Sequence, residues 1–278
     1  MLTNEALLSY NRAMKLSLIL DIDSQYKDLQ EQAAYVDLSA LSGVNGYCSE
    51  EAAEEFRKAI RKSSSTGTQQ EPQGSTSSAV LKKPCSGIHL FGSGNYHYIS
   101  KFFLETIEEP FNLLLIDNHP DMEAPEFPLL SCGSWVLDSL RELPNLRQVY
   151  MAGVRPDLLA DCLKSEGAPF VDRVTLLKTD TENAGIAESS SPGKLPLPLS
   201  AIPDDLPLYI SIDKDALSTD FAITDWDQGE MTLDGLGAIL TVARRHRLLG
   251  ADICGDARTA VDNSLNAAST ASILKFLS

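Results

Sequence analysis

Leu113-Leu114-Leu115-Ile116 is followed by Asp117-Asn118-His119-Pro120-Asp121. A short apolar run of this kind fits a strand covered on both faces, as in a parallel sheet. The residues after it are polar, charged and broken by a proline. Asp117, His119 and Asp121 stand at i, i+2 and i+4, a spacing that turns all three side chains to one side of an extended chain. Carboxylate and imidazole together suit Mn²⁺, Zn²⁺ or Fe²⁺ better than Ca²⁺, which prefers oxygen donors alone. The plainer reading is an acidic turn in which Pro120 ends the strand.

Outward from this stretch the same alternation repeats. Further strands are expected at Leu16–Leu20, Ala34–Leu38, Ile88–Phe91, Asn112–Ile116, Gln148–Ala152, Val174–Leu177, Leu208–Ile212 and Leu248–Ile253. Helical patterns lie between them. Glu50–Lys62 follows Ser49, an N-cap residue type. Ile99–Ile107 is apolar at helical spacing, Leu233–Arg245 gathers Leu233, Leu236, Leu240 and Ala243 on one face, and Asn263–Leu277 closes the chain. Strands alternating with helices predict one α/β domain over residues 1–278, with helices on both faces of a mainly parallel sheet. Arg61–Ser78, rich in Ser, Thr, Gln and Gly, is expected to be a flexible loop. Glu188–Asp205, with Pro192, Pro196, Pro198 and Pro203, reads as a surface connection.

Ligands of such sheets bind at the carboxyl ends of the strands, so the residues after each strand matter most. After Leu208–Ile212 comes Asp213-Lys214-Asp215. Two carboxylates held close repel unless one is protonated or a cation neutralises both. Lys214 points the other way and reads as a partner in a structural salt bridge. After His89-Leu90-Phe91 comes Gly92-Ser93-Gly94-Asn95-Tyr96-His97, where the glycines allow a tight strand-to-helix turn and His97 opens the next helical stretch. Gly-x-Gly without a third Gly or a Lys is a poor phosphate loop. His89 and His246 read as ordinary satisfied histidines.

In combination the three strand ends give Gly-rich-His, then Asp-x-His-x-Asp, then Ser-x-Asp-x-Asp. This order resembles the ureohydrolase superfamily of arginase, agmatinase and formiminoglutamase, over about residues 87 to 256. The resemblance implies a three-layer α/β/α fold with a mainly parallel central sheet and a binuclear Mn²⁺ site with His97, Asp117, His119, Asp121, Asp213 and Asp215 as ligands. It also implies hydrolysis of a non-peptide C–N bond by a hydroxide bridging the two metals, which needs no Ser or Cys nucleophile. Three departures stand out. Gly94-Asn95-Tyr96-His97 replaces Gly-Gly-Asp-His. The His that arginases carry soon after the second motif to help move protons is absent, the chain there reading Ser131-Cys132-Gly133-Ser134-Trp135. Where arginases place a substrate-holding Glu after the last strand, the chain reads Asp252-Ile253-Cys254-Gly255-Asp256, leaving Asp256 as the catalytic candidate one position later. Trp226-Asp227-Gln228-Gly229-Glu230 replaces a Gly-rich loop and is expected to line the pocket.

Two other readings compete. A family member that binds metal without catalysis is one. The other starts from Asp21-Ile22-Asp23, which is superficially similar to the opening of haloacid-dehalogenase-type phosphatases, where the first Asp is a nucleophile. Trp135 and Trp226 fit core and pocket wall equally well.

Composition narrows the partners. The chain has 278 residues and a net charge of −16, which disfavours nucleic acid and anionic membrane surfaces. No apolar run approaches the ~20 residues that span a bilayer. Five cysteines without a C-x-x-C pair, and an N-terminus without a signal-peptide pattern, fit reduced thiols in the cytoplasm. The expected partners are a small-molecule substrate and, at most, further copies of the chain in a homo-oligomer.

Overall fold

The computed structural model describes residues 13–65, 83–125, 127–178, 197–259 and 263–278. The apolar runs form the strands β1 (Leu16–Asp21), β2 (Ala34–Asp37), β4 (Ile88–Leu90), β5 (Phe111–Ile116), β7 (Leu146–Ala152), β8 (Val174–Leu176), β9 (Leu208–Asp213) and β10 (Leu248–Cys254). They make one sheet in the order β2-β1-β4-β10-β9-β5-β7-β8, and every pairing in it is parallel. Two short strands not expected from the sequence, β3 (Tyr47–Cys48) and β6 (Leu130–Ser131), pair antiparallel outside the sheet.

Strand β5 shows why the sheet needs helices on both faces. Leu113 and Leu115 belong to one apolar core and Leu114 and Ile116 to the other, following the two-residue repeat of a strand. All six residues of β5 are buried. The first core is closed by helices α1 (Glu50–Ser65), α2 (Ile99–Leu104), α3 (Trp135–Glu142) and α4 (Pro156–Lys164). The second is closed by α5 (Leu233–Ala243) and α6 (Ser264–Leu277). This is the three-layer α/β/α architecture that the sequence predicts.

Helix α1 runs to Ser65, five residues into the stretch 61–78 expected to be a loop; residues 66–78 lie outside the described residues. Of the connection expected at 188–205, residues 197–205 are described. Leu197 bridges to Leu177, and Leu199–Ala201 makes one helical turn. No helix among the described residues is long and apolar enough to cross a membrane.

Gly250, in β10, shows how tightly the sheet centre is built. A Cβ there would overlap the carbonyl oxygen of Cys85 and come within 3.1 Å of the Tyr209 ring. Overpacking of this kind costs about 1–3 kcal/mol, or more when backbone must move. Gly250→Ala is therefore expected to lower unfolding stability by about 3 kcal/mol in urea titration. A change under about 0.5 kcal/mol, the size of an ordinary surface substitution, would show that β10 and the Cys85 carbonyl approach less closely than described.

Candidate metal centre

The middle of the sheet, β4-β10-β9-β5, brings three chain-distant strand ends side by side. After β4, the Ser93 hydroxyl accepts from Asn95 N at 3.2 Å and caps a single turn, Gly94–Tyr96. That turn delivers His97 over the sheet edge. Its glycine is needed for contact rather than for flexibility, because a Cβ on Gly94 would sit 2.6 Å from Asp213 Oδ2.

His97 Nδ1 lies 3.1 Å from Asp117 Oδ2, 3.0 Å from Asp121 Oδ2 and 3.6 Å from Asp213 Oδ2. His119 Nδ1 lies 2.9 Å from Asp215 Oδ2 and 3.6 Å from Asp117 Oδ1. Asp117 thus offers one oxygen to each imidazole and joins two donor groups. His97, Asp117 and Asp121 form one group, and Asp117, His119 and Asp215 form the other, each with donor atoms within 4.8 Å of one another. All six residues singled out from the strand ends converge here.

Each ligand-type side chain is held by its surroundings. Asp121 has a positive φ of 49°, and its Oδ2 accepts from Trp135 Nε1 at 2.6 Å. Asp215 accepts from Asn118 N at 3.0 Å, and Asp213 accepts from Asp215 N at 2.9 Å. The rings are fixed from behind. His97 Nε2 meets Ser211 Oγ at 2.9 Å, and that hydroxyl donates to Asp252 Oδ1 at 2.7 Å. Ser100 Oγ adds a second donor to the same carboxylate at 3.0 Å. His119 Nε2 meets Asp227 Oδ1 at 3.0 Å, and Arg155 reaches the other oxygen of Asp227 at 3.4 Å. Both imidazoles therefore turn Nδ1 toward the carboxylates.

The electrostatics are those of a site short of positive charge. Four buried carboxylates face two imidazoles, so with every group ionised the negative charges outnumber the positive by two. Burial raises the pKa of Asp121, Asp213 and Asp215, and the charge of Asp117 raises each further. For Asp117 itself burial is outweighed by hydrogen bonds to His119 and His97, which hold it low. His119 is disfavoured as a cation by burial, yet hydrogen bonds and charge from Asp117 and Asp215 hold its pKa up at about 12.

The donors open into a cavity of about 70 Å³, walled also by Glu123, Cys132 and Trp226. Trp226 is half-exposed, and its ring meets the His119 ring edge-on at 5.8 Å. The segment 226–230 thus reaches the pocket through Trp226, as expected. The contact of Asp227 with His119 leaves no mark in the sequence, because only the folded loop brings the two together. Trp135 is core.

Asp256 is elsewhere. Its carboxylate is ion-paired with Lys214 Nζ and accepts from the Tyr26 hydroxyl. Lys214 is fully buried and also donates to Thr270 Oγ1 at 2.9 Å and Asn266 O at 3.2 Å. The catalytic candidate is thereby one half of a buried structural pair, and Lys214 makes the salt bridge expected of it. The phosphatase reading fails on similar grounds: Asp21 accepts from Gln25 N, Tyr26 N and Tyr35 Oη, so its carboxylate anchors a turn.

The fold has solved counterparts. Proclavaminate amidino hydrolase from Streptomyces clavuligerus superposes with a TM-score of 0.59 at 13% identity, over 96% of this chain and 89% of that one. Arginase from Bacillus caldovelox gives 0.57 at 13% identity over 95% and 97%. An arginase-like protein of T. brucei, a triple mutant bound with Mn²⁺, gives 0.57 at 16% identity over 95% and 90%. The chain has the ureohydrolase fold. In sequence it is 31% identical over 170 residues to an uncharacterized protein of Thermotoga maritima, a match covering 61% of this chain and 58% of that relative's length. No protein-family model matches the sequence.

Because Lys214 and Asp256 compensate each other, removing one charge leaves the other buried, at a cost of about 3–5 kcal/mol. Asp256→Asn is expected to lose that much unfolding stability while divalent-metal uptake by the folded protein, measured alongside the unsubstituted chain, stays the same. Combining it with Lys214→Met should recover part of the loss. Unchanged stability together with lost metal would return Asp256 to the site.

Proposed function

We propose that the chain is a metal-dependent hydrolase of the ureohydrolase type that cleaves a non-peptide C–N bond of a small molecule. The observation that carries this reading is Asp117, one buried carboxylate placed between two His/Asp groups. The donor set fits divalent transition metals: imidazole and carboxylate are their ligands, and the excess buried negative charge needs a cation. His97, Asp117, Asp121 and Asp213 would hold one ion, and Asp117, His119 and Asp215 the second. Carboxylate donors suit Mn²⁺, and the T. brucei arginase-like triple mutant is bound with it. When bound, such ions acidify a water and stabilise charge on a planar C–N carbon.

The chain's own residues do the positioning. Asp227 and Ser211 hold the outer nitrogens of His119 and His97, which leaves each Nδ1 directed inward. Outer partners of this kind are typically worth roughly 10–100-fold in metal affinity. Trp226 and Pro120 wall the cavity, and Glu123, exposed to solvent, also lines it.

Metal analysis tests the reading. The purified chain reconstituted with Mn²⁺ is expected to hold up to two ions, with at least one lost in His119→Ala. Full metal content in both His119→Ala and Asp213→Ala would refute it. A screen of guanidino, formimino and acetylamino compounds then looks for turnover, and metal binding without turnover of any of them would favour a non-catalytic role.

Arginine and agmatine are expected to be poor substrates. A buried cationic group needs a placed carboxylate. At Gly255 none can be placed: its φ is +98°, and any Cβ would overlap Asp213 Oδ1 and the Lys214 amide. Among the described residues, the pocket also offers Cys132 and no histidine beyond the ligand pair. Loss of general acid–base help is worth ~10²–10⁴-fold in rate. Urea release from either compound at saturating Mn²⁺ should stay near the His119→Ala blank, and robust release would contradict this.

A further inference from the structure

The strand register places one more donor type in the centre. In the β9–β10 pairing Ser211 faces Asp252 and Asp213 faces Cys254. Asp252 and Cys254 share one face of β10, and the first already supports His97 through Ser211. Cys254 is fully buried, and its Sγ lies 3.3 Å from Asp213 Oδ2. That same oxygen lies 3.6 Å from His97 Nδ1. A ring nitrogen of His97, an oxygen of Asp213 and the Cys254 sulfur all lie within 4.8 Å of one another. Donors around one zinc-sized ion, with bonds of about 2.0–2.3 Å, stand roughly 3.5 Å apart. Nitrogen, oxygen and sulfur thus meet at one point, with a separation a single ion can span.

We propose that Cys254 is a ligand of the His97-side ion, and that its sulfur biases this half of the centre toward a thiophilic divalent ion such as Zn²⁺ or Co²⁺ rather than Mn²⁺. The inference rests on the reading of these residues as a metal centre. On binding, the S–H bond breaks, the proton leaves to solvent and a sulfur lone pair bonds the ion. The sulfur is the softest donor in the set, and soft donors select zinc-class ions, whereas carboxylates suit Mn²⁺. The two halves of the centre then differ in preference. The His119 side, with Asp117 and Asp215, belongs to no donor group containing sulfur among the described residues. Cys132 also lines the cavity but is in none of these groups, which makes it the internal control.

Co²⁺ is the probe, because thiolate ligation gives an intense near-ultraviolet sulfur-to-cobalt charge-transfer band that nitrogen and oxygen donors do not. The metal-free full chain titrated with Co²⁺ is expected to show this band. Cys132→Ser should keep it, and Cys254→Ser and Cys254→Ala should lose it while still binding Co²⁺ through the remaining donors. Competition should show the Zn²⁺-over-Mn²⁺ preference falling at least about tenfold in Cys254→Ser. Co²⁺ bound to the wild-type chain without the band overturns the thiolate ligand and leaves the hydrolase reading standing. A band that disappears in Cys132→Ser and survives in Cys254→Ser also overturns it. Failure of the chain to bind Co²⁺, Zn²⁺ or Mn²⁺ at all overturns both.

Discussion

Asp117 sets the constraint on which the site depends. Its two oxygens face two different imidazoles, and three more carboxylates crowd the same buried space. Like charges at this separation, out of water, raise one another's pKa values and oppose folding unless a cation compensates them. The rest of the local structure holds this arrangement in place. Parallel strands β4, β10, β9 and β5 bring their carboxyl ends into one row. Gly94 and Gly255, which flank Asp213, are the residues that let the backbone approach a carboxylate so closely.

Around the carboxylates lies a ring of supporting groups. Asp252, Ser100 and Ser211 fix one imidazole from the sheet side, and Asp227 with Arg155 fixes the other from the solvent side. Trp135, buried at the start of α3, donates to Asp121. Lys214 with Asp256 locks the turn after β9 against α6, where Thr270 and Asn266 accept from the ammonium. A buried ion pair is a weak source of net stability. Its value here is positional, since Lys214 lies between Asp213 and Asp215.

Much of this is legible in the sequence for a physical reason. Strands buried on both faces read as uninterrupted apolar runs, so β1, β5, β9 and β10 announce themselves, and in a parallel sheet the chemistry falls just after such runs. His97, Asp117, His119, Asp121, Asp213 and Asp215 all stand at such places. Helices α3 and α4 give no comparable signal, being short and without a long apolar repeat. The supporting roles of Asp227 and Asp252 depend on contacts between distant parts of the chain, such as the Ser211–Asp252 bond at a separation of 41 and the His119–Asp227 contact at 108. Asp256 is misassigned from the sequence because position at a strand end does not report side-chain direction. Gly255 takes a left-handed φ, and the next carboxylate meets the buried Lys214 instead of the pocket.

Whether these carboxylates surround metal ions is the deciding question. Anomalous diffraction from crystals of the chain grown with Mn²⁺, collected on both sides of the manganese edge, measures this directly. Two peaks are expected on either side of Asp117, one beside His97 and Asp213 and the other beside His119 and Asp215. Diffraction with no peak at Asp117, or with manganese only elsewhere on the protein, would contradict it.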